Sequence, residues 1–237
     1  MLEVYHLTKR YGKTAANDDL TFRVENGEIA VLCGPNGAGK STAIKSIAGL
    51  LRYHGAILFD GEPNKTPKAK RSFGYIPELP APIETLTVEE HLEFIARAYR
   101  VENWRPKAEE LLACMEMDDK RRKLGKELSK GMQQKLSICC ALLPSPKTLL
   151  LDEPLVGLDP HAIKELKNIL IRLRKEGCAV LLSTHMLDSV QEFWDAALIM
   201  MNGRIAASRT RSELVQNGED LEDLFFAITE GGKGEPA

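Results

Sequence analysis

Residues 34–41, with the sequence GPNGAGKS, fill every fixed position of the phosphate-binding pattern G-x-x-x-x-G-K-[ST]. The apolar residues 29–33 before this segment predict a buried strand, and residues 42–50 after it predict a helix. Glycines let the backbone wrap around an anion, the helix N-terminus presents its positive end, and Lys40 adds a full charge. A nucleotide is therefore the first hypothesis for the ligand, with the Ser41 hydroxyl directed at magnesium.

The length predicts a single compact unit, and the composition leaves partners to be argued from local features. The 32 lysines and arginines nearly balance the 34 acidic residues, so net charge offers no basis for nucleic-acid binding. The five cysteines show no metal-ligand spacing and are expected to be core residues of a reduced, cytosolic protein. No run approaches the roughly 18 apolar residues of a membrane span, and the N-terminus has no leader pattern, so we expect a soluble chain.

Local patterns predict three regions along the chain. Up to about residue 75 the pattern is strand-rich, with strands at 2–6, 20–24, 28–33 and 56–59 and a hairpin turn at Asn26-Gly27. A helical insertion follows, beginning at a Thr87 and Glu90 capping box and continuing with helices at 106–115 and 130–142.

The third region alternates strands with helices, which favours a parallel sheet. The predicted elements are strand 148–151, helix 161–175 capped by Asp159, strand 179–183, helix 187–194, and a hairpin of strands 198–201 and 204–207 turning at Asn202-Gly203. Residues 231–237 are expected to form a mobile tail.

Residues 148–153, TLLLDE, form an apolar strand that ends in two carboxylates, which is a Walker B pattern. Beside a phosphate loop, such a strand can hold Asp152 close to magnesium and direct Glu153 at the γ-phosphate as the base for an attacking water. The alternative is a strand end with two solvated acids.

Residues 128–134, LSKGMQQ, resemble the signature motif of ATP-binding cassette (ABC) proteins, usually LSGGQ, which likewise opens a helix upstream of the Walker B strand. Ser129 offers a hydroxyl and Gly131 permits close backbone approach at a helix N-terminus, which together suit an anion. Taken alone, the segment could equally be an ordinary serine-capped helix.

Other landmarks of the ABC family fall in the expected order. Tyr11 resembles the aromatic residue that stacks on adenine, although its ring could instead only pack. Residues 157–160, GLDP, resemble the D-loop that crosses to the opposing subunit, and Asp159 is also a plausible helix cap. His185 resembles the switch histidine that contacts the γ-phosphate and orders the attacking water.

Two positions depart from the family pattern. Glu78 replaces the usual glutamine that ligates magnesium, so it adds a negative charge that should favour metal-bound nucleotide over free ATP. In the signature, Lys130 and Met132 replace glycine and glutamine. Both departures resemble variants of exporter-type ABC systems whose membrane subunits are separate chains.

The resemblance implies an α/β fold of the P-loop NTPase (RecA-like) type: a parallel-sheet core, an N-terminal antiparallel β subdomain and an inserted helical subdomain at about 85–143. It implies one ABC ATPase domain over residues 1–230, with Glu153 and His185 catalytic and Ser41, Glu78 and Asp152 binding Mg²⁺. The implied ATP ligands are Tyr11, Gly34, Pro35, Asn36, Gly37, Ala38, Gly39, Lys40, Ser41, Thr42, Ser129 and Gly131.

The resemblance also implies partners. A signature motif acts on ATP held by an opposite subunit, so a second copy or a paralogous ABC subunit is expected, together with an integral membrane permease and no nucleic acid. The expected function is to power export from the cytoplasmic face of the cell membrane. The alternatives are a soluble ABC ATPase that acts on ribosomes or DNA, and a nucleotide-binding module without enzymatic activity.

Overall fold

The computed structural model describes residues 1–231. Its strands are β1 Leu2–Tyr11, β2 Thr14–Val24, β3 Ile29–Cys33, β4 His54–Phe59, β5 Glu62–Pro63, β6 Phe73–Ile76, β7 Thr148–Asp152, β8 Ala179–Thr184, β9 Ala196–Met201 and β10 Arg204–Thr210. Its helices are α1 Lys40–Ile47, α2 Pro67–Ser72, α3 Val88–Tyr99, α4 Trp104–Cys114, α5 Lys130–Leu142, α6 Pro160–Lys175, α7 Arg211–Asn217 and α8 Leu221–Gly231.

The strands form two sheets. The first is antiparallel, with the order β2-β1-β4-β5. The second has the order β10-β9-β3-β8-β7-β6, in which β9, β3, β8, β7 and β6 are parallel and β10 is antiparallel at one edge. The predicted α/β architecture with a parallel core and an antiparallel N-terminal sheet is therefore confirmed. The parallel order brings the carboxyl ends of β3, β7 and β8 to one edge, where binding sites of such sheets lie.

Both faces of the parallel sheet are buried, which explains why its strands are continuous apolar runs. Along β3, Val31 contributes to one core cluster and Leu32 to the other, because successive side chains point to opposite faces. The first cluster includes the inserted helices and α6, and the second lies between the parallel sheet, α1 and the antiparallel sheet. The phosphate loop is thus anchored by a strand that is packed on both sides.

The helical insertion consists of α3, α4 and α5. The Thr87 side chain accepts a hydrogen bond from the Glu90 amide, and the Glu90 carboxylate accepts one from the Thr87 amide, so the predicted capping box is confirmed. Helix α5 has the predicted bounds, with Ser129 as its N-cap. Asp159 caps α6 as predicted, accepting a hydrogen bond from the Ala162 amide.

Two local predictions are wrong. Asn26-Gly27 does not close a hairpin, because it joins β2 in one sheet to β3 in the other. Residues 187–194 are not an α-helix. Leu187–Ser189 form one 3₁₀ turn, and in a further turn the Phe193 amide donates a hydrogen bond to the Val190 carbonyl oxygen. Buried Leu187, Val190 and Phe193 are three residues apart, a spacing that fits 3₁₀ turns of three residues as well as an α-helix.

The C-terminal part contains helices that the sequence patterns did not predict. Helices α7 and α8 follow β10, and α8 packs against β9 and the 3₁₀ turn. Of the tail predicted at 231–237, only Gly231 is described, as the end of α8, and the remainder lies outside the described residues. Within residues 1–231, no helix is long and apolar enough to cross a bilayer.

Candidate ATP site

The phosphate loop connects β3 to α1 and depends on glycine at one crowded position. Gly39 has a φ of 104°, and a Cβ added there would lie 2.2 Å from the Ala16 carbonyl oxygen. A side chain at this position would therefore be strained and would collide with backbone. Gly39 allows the loop to pass directly over β2, so the antiparallel sheet supports the loop from outside the parallel sheet.

Asn17 supports the same point of the loop and was not identified from the sequence. Its side chain is completely buried, and Nδ2 donates a 3.0 Å hydrogen bond to the Gly39 carbonyl oxygen. Gly39 precedes the first residue of α1, so this contact fixes where the helix begins. No local pattern marks Asn17, because its importance comes from the packing of one sheet against the loop of the other.

Lys40 lies under the loop rather than in solvent. Only 6% of the residue is exposed, and Nζ donates hydrogen bonds to the Gly34 carbonyl at 2.7 Å and the Pro35 carbonyl at 3.3 Å. The ammonium is also 3.9 Å from the Glu153 carboxylate. A buried ammonium with these partners is a fixed positive charge in the concave side of the loop, where a phosphate is attracted most strongly.

Asp152 ends β7 beside the loop and is completely buried. Its Oδ1 accepts hydrogen bonds from Ser41 Oγ at 2.9 Å and from Ser183 Oγ at 2.8 Å. Its Oδ2 is buried with no hydrogen-bond partner among residues 1–231. A buried carboxylate oxygen without a donor, close to a hydroxyl, is the donor set that Mg²⁺ prefers, so Ser41 and Asp152 fit a magnesium ion.

Glu153 and His185 meet across the ends of β7 and β8. Glu153 Oε2 lies 2.9 Å from His185 Nδ1 and accepts a 3.3 Å hydrogen bond from the His185 amide. Glu153 adopts a φ of 48°, and its amide donates to the Ser183 carbonyl and hydroxyl oxygens. This left-handed conformation redirects the chain after β7 and turns the carboxylate toward the phosphate loop.

Ser183 therefore holds both acidic residues of the Walker B segment. Its hydroxyl donates to Asp152 at 2.8 Å and accepts from the Glu153 amide at 3.1 Å. From the sequence, Ser183 was only the last residue of the predicted strand 179–183 and had no assigned role. The available signal was its position at the end of a strand that neighbours the Walker B strand.

A cleft of about 420 Å³ opens over the loop. It is lined by Ala16, Asn36, Gly37, Ala38, Gly39, Lys40, Ser41, Thr42, Glu78, Glu153, Val156 and His185. The sequence-predicted phosphate, metal and catalytic residues in this set thus share one cavity. Glu78 reaches it from the segment after β6, and the buried Tyr75 hydroxyl lies nearby, its pKa raised by burial and by the Asp152 and Glu78 carboxylates.

Five predicted ATP-binding residues do not line this cleft. Gly34 and Pro35 begin the loop, and their carbonyl oxygens accept hydrogen bonds from Lys40 Nζ. Tyr11 is 52% exposed at the end of β1, with the Lys9 ammonium 4.7 Å from its ring centre. Ser129 caps α5 by accepting a hydrogen bond from the Met132 amide. Gly131 lies against the D-loop, where an added Cβ would be 2.8 Å from the Gly157 carbonyl oxygen. Adenine stacking by Tyr11 stays a prediction, and the two signature residues face a different part of the surface.

The family model described as "ABC transporter" matches residues 17–156, which include the phosphate loop, the signature and the Walker B strand. The chain belongs to the ABC transporter family. It is 37% identical to the ABC-type transporter ATP-binding protein EcsA of Bacillus subtilis, over 99% of this chain and 98% of that protein. It is 34% identical to the lipopolysaccharide export system ATP-binding protein LptB of Haemophilus influenzae, over 95% and 97%.

Solved ABC structures have the same fold. An ATP-binding subunit of an ABC transporter superposes with a TM-score of 0.91 at 36% identity, covering 97% of this chain and 99% of that one. The dimeric structure of the bacterial ABC transporter cassette MJ0796 superposes with a TM-score of 0.77 at 25% identity, covering 89% and 98%. This chain is accordingly the ATP-binding, ATP-hydrolysing subunit of an ABC transporter, of a family whose cassettes dimerise.

Proposed function

We propose that two copies of this ABC subunit, or one copy and a paralogue, assemble head to tail and power a separate integral membrane permease. One observation carries the proposal: Ser129 and Gly131 lie outside the cleft that contains Lys40 and Glu153. A hydroxyl and a close-approach glycine at the start of α5 suit a phosphate. In a head-to-tail pair they meet the ATP bound to the opposite chain.

Within one cleft, the residues divide the chemistry of hydrolysis. The loop amides and Lys40 bind the phosphates, and Glu153 accepts the proton of the attacking water. His185 fixes the Glu153 carboxylate through the 2.9 Å contact and donates toward the γ-phosphate. Ser41, Asp152 and Glu78 would hold Mg²⁺, which neutralises part of the phosphate charge when bound.

The permease docks on a groove between the parallel core and the helical insertion. A cavity of about 410 Å³ lies there, and its lining includes Leu50, Phe73, Ile95 and Tyr99. Leu50 is exposed, and Phe94 adds exposed apolar surface in an adjoining pocket. Exposed apolar patches of this kind mark protein interfaces. In this proposed arrangement the chain lies at the cytoplasmic face of the membrane.

Export is the favoured direction. The relative LptB is named for an export system, and Glu78 and the Lys130 and Met132 signature variants resemble those of exporters with separate membrane subunits. Neither EcsA nor LptB is described as acting on ribosomes or DNA, and the chain is close to neutral, which disfavours nucleic acid.

The two-copy arrangement is tested with Glu153→Gln, which retains the shape of the side chain and removes the base. We expect this variant to bind MgATP, to hydrolyse it at least about a hundredfold more slowly, and to form a dimer in light scattering coupled to gel filtration. A monomer at saturating MgATP with unchanged turnover would overturn the proposal. Wild-type protein with MgADP provides the monomeric reference.

The permease is tested by site-specific photo-crosslinking in cells. A crosslinker at Leu50, which is exposed and lines the groove, should capture a polytopic membrane protein, which mass spectrometry identifies. The control is Val215 on α7, which is also strongly exposed but lies outside the groove lining. Capture of ribosomal proteins at Leu50, or equal capture at both positions, would contradict permease docking.

A further inference from the structure

Helix α5, which begins at the signature, contacts the segment from Walker B to the D-loop along one face. Gly131, Gln134 and Lys135 are three and four residues apart, so they lie on the same side of the helix. The Gly131 backbone packs against the Gly157 carbonyl. Gln134 is buried and its Nε2 donates a 3.3 Å hydrogen bond to the Pro154 carbonyl. The first two turns of α5 therefore follow the backbone of residues 154–159.

Lys135 completes this face with an ion pair. Its Nζ lies 2.7 Å from Asp159 Oδ2 and 3.7 Å from Glu116 Oε2, with only 9% of the side chain exposed. The other carboxylate oxygen of Asp159 accepts from the Ala162 amide and caps α6. One ammonium thus joins the signature helix, the end of the D-loop and the loop after α4. The hydrolytic chemistry described above does not use it.

Stability alone does not explain why the Lys135 side chain is only 9% exposed, beside Asp159 and Glu116 side chains that are 47% and 59% exposed. Removing an ammonium from water is costly, and an apolar residue of similar volume is often at least as stabilising. In some proteins an ionic pair instead fixes a particular arrangement of two segments. The Lys135 ammonium and the Ala162 amide hold the pKa of Asp159 below its ordinary value, so the carboxylate stays charged at neutral pH.

We propose that Lys135 is a positioning residue that fastens the D-loop to the signature helix, so that both meet the second copy as one rigid surface. The inference rests on the proposed two-copy function. In the assembly, Ser129 and Gly131 approach the ATP of the opposite chain while residues 157–159 contact that chain directly. Lys135 touches neither nucleotide, and it acts through Ser129 and Asp159. Without the ion pair, the two elements must be ordered separately on dimerisation, which weakens association.

Three variants separate positioning from folding. Lys135→Met removes the charge and retains much of the apolar volume. Asp159→Asn removes the other charge but keeps a side chain that caps helices as well as aspartate does. Lys135→Arg restores the cation. The matched control is Arg172→Met, which breaks the exposed 3.2 Å ion pair between Arg172 on α6 and Glu110 on α4.

Each variant is combined with Glu153→Gln, and two quantities are measured: the affinity of the monomer for a fluorescent nucleotide and the dimer dissociation constant at saturating MgATP. We expect Lys135→Met and Asp159→Asn each to weaken the dimer about fivefold or more, non-additively when combined, with monomer affinity unchanged. Lys135→Arg and Arg172→Met should each leave the dimer dissociation constant close to that of Glu153→Gln alone.

The outcomes distinguish the two proposals. If Glu153→Gln alone forms no dimer, the two-copy function fails and the positioning role fails with it. If Glu153→Gln dimerises and Lys135→Met dimerises equally well, only the positioning role is overturned. A parallel loss of monomer nucleotide affinity, or a loss in Lys135→Met that Lys135→Arg does not rescue, assigns Lys135 to folding and also overturns it.

Discussion

Glu153 Oε2 lies 2.9 Å from His185 Nδ1, although the two residues are separated by a helix and a strand in the chain. They meet because β7 and β8 are adjacent and parallel, so the residues after each strand emerge at the same edge of the sheet. On the other side of the carboxylate, Lys40 Nζ is 3.9 Å from Glu153 Oε1. A single carboxylate thus connects the switch histidine to the phosphate loop.

Replacement of His185 by alanine should separate catalysis from binding. The Glu153 carboxylate loses one of its two contacts with residue 185, while the phosphate loop is unchanged. We expect kcat for ATP to fall about a hundredfold or more with little change in MgATP affinity. His6→Ala is the control, since His6 pairs with Asp19 on the exposed surface of a strand. Turnover of His185→Ala equal to that of the control would contradict this role.

Replacement of Ser183 by alanine should lower both stability and turnover. It removes the donor to Asp152 and the side-chain acceptor of the Glu153 amide, and both groups are buried. The free energy of unfolding should decrease by about 1–3 kcal/mol in urea titrations, because buried polar groups lose their partners. Ser208→Ala on β10 is the control, because it removes an exposed hydroxyl and should leave the free energy of unfolding and the turnover unchanged. Equal unfolding free energies for the two variants would show that the Ser183 contacts are dispensable.

Gly39→Ala should abolish nucleotide binding. The new Cβ would lie 2.2 Å from the Ala16 carbonyl oxygen, so the loop must move away from β2. Gly61→Ala has the same left-handed strain, at a φ of 78°, with no atom within 4 Å of the added Cβ. Calorimetric titration with MgATP should detect binding by Gly61→Ala and none by Gly39→Ala. Binding by both would contradict the predicted collision.

Replacement of Glu78 by glutamine should relax the requirement for metal. Glu78 lines the cleft and brings a negative charge near the phosphates. Its removal should raise the affinity for metal-free ATP by about threefold to tenfold, since like charges at a partly solvated site repel by kcal/mol amounts. Nucleotide titrations in EDTA and in excess Mg²⁺ give the ratio of the dissociation constants of metal-free ATP and MgATP. Glu84→Gln, on the same segment but outside the cleft lining, is the control, and an identical ratio in both variants would contradict the prediction.

In the folded protein the cysteines should be unreactive at pH 8 toward an aromatic disulfide that releases a coloured thiol on reaction. Burial raises the pKa of Cys33, Cys140 and Cys178 to about 12, and that of Cys139 well above its usual range. Burial and the Glu165 carboxylate raise the pKa of Cys114 to about 11. Because the thiolate is the nucleophile, a raised pKa lowers reactivity at a given pH, and about one Cys114 in a thousand is ionised at pH 8.

As the pH rises above 9, Cys114 should react first, because it is only half-buried and its pKa is the lowest of those with a value. Absorbance of the released aromatic thiol gives the rate, and protein unfolded in urea should react at all five positions. Rapid reaction of the folded chain at pH 8 would contradict the burial of these groups.

Much of the candidate site could be predicted because its motifs are local. The loop at 34–41, the strand that ends at Asp152 and the helix that begins at Lys130 each carry their pattern within a short segment. Periodicity was ambiguous at residues 187–194, where a three-residue spacing suits both α and 3₁₀ turns. Asn26-Gly27 correctly marked a turn, but turn chemistry does not specify which sheet the next strand joins.

Local patterns were enough to identify the phosphate loop, the Walker B carboxylates, the signature helix and the family. Long-range packing was needed to show that Asn17 supports Gly39, that Ser183 holds Asp152 and Glu153, and that Lys135 joins the signature helix to Asp159. Each of these contacts connects segments at least 20 residues apart. Such contacts depend on strand order and helix packing, which short-range patterns do not encode, whereas a loop that binds phosphate is built from consecutive residues.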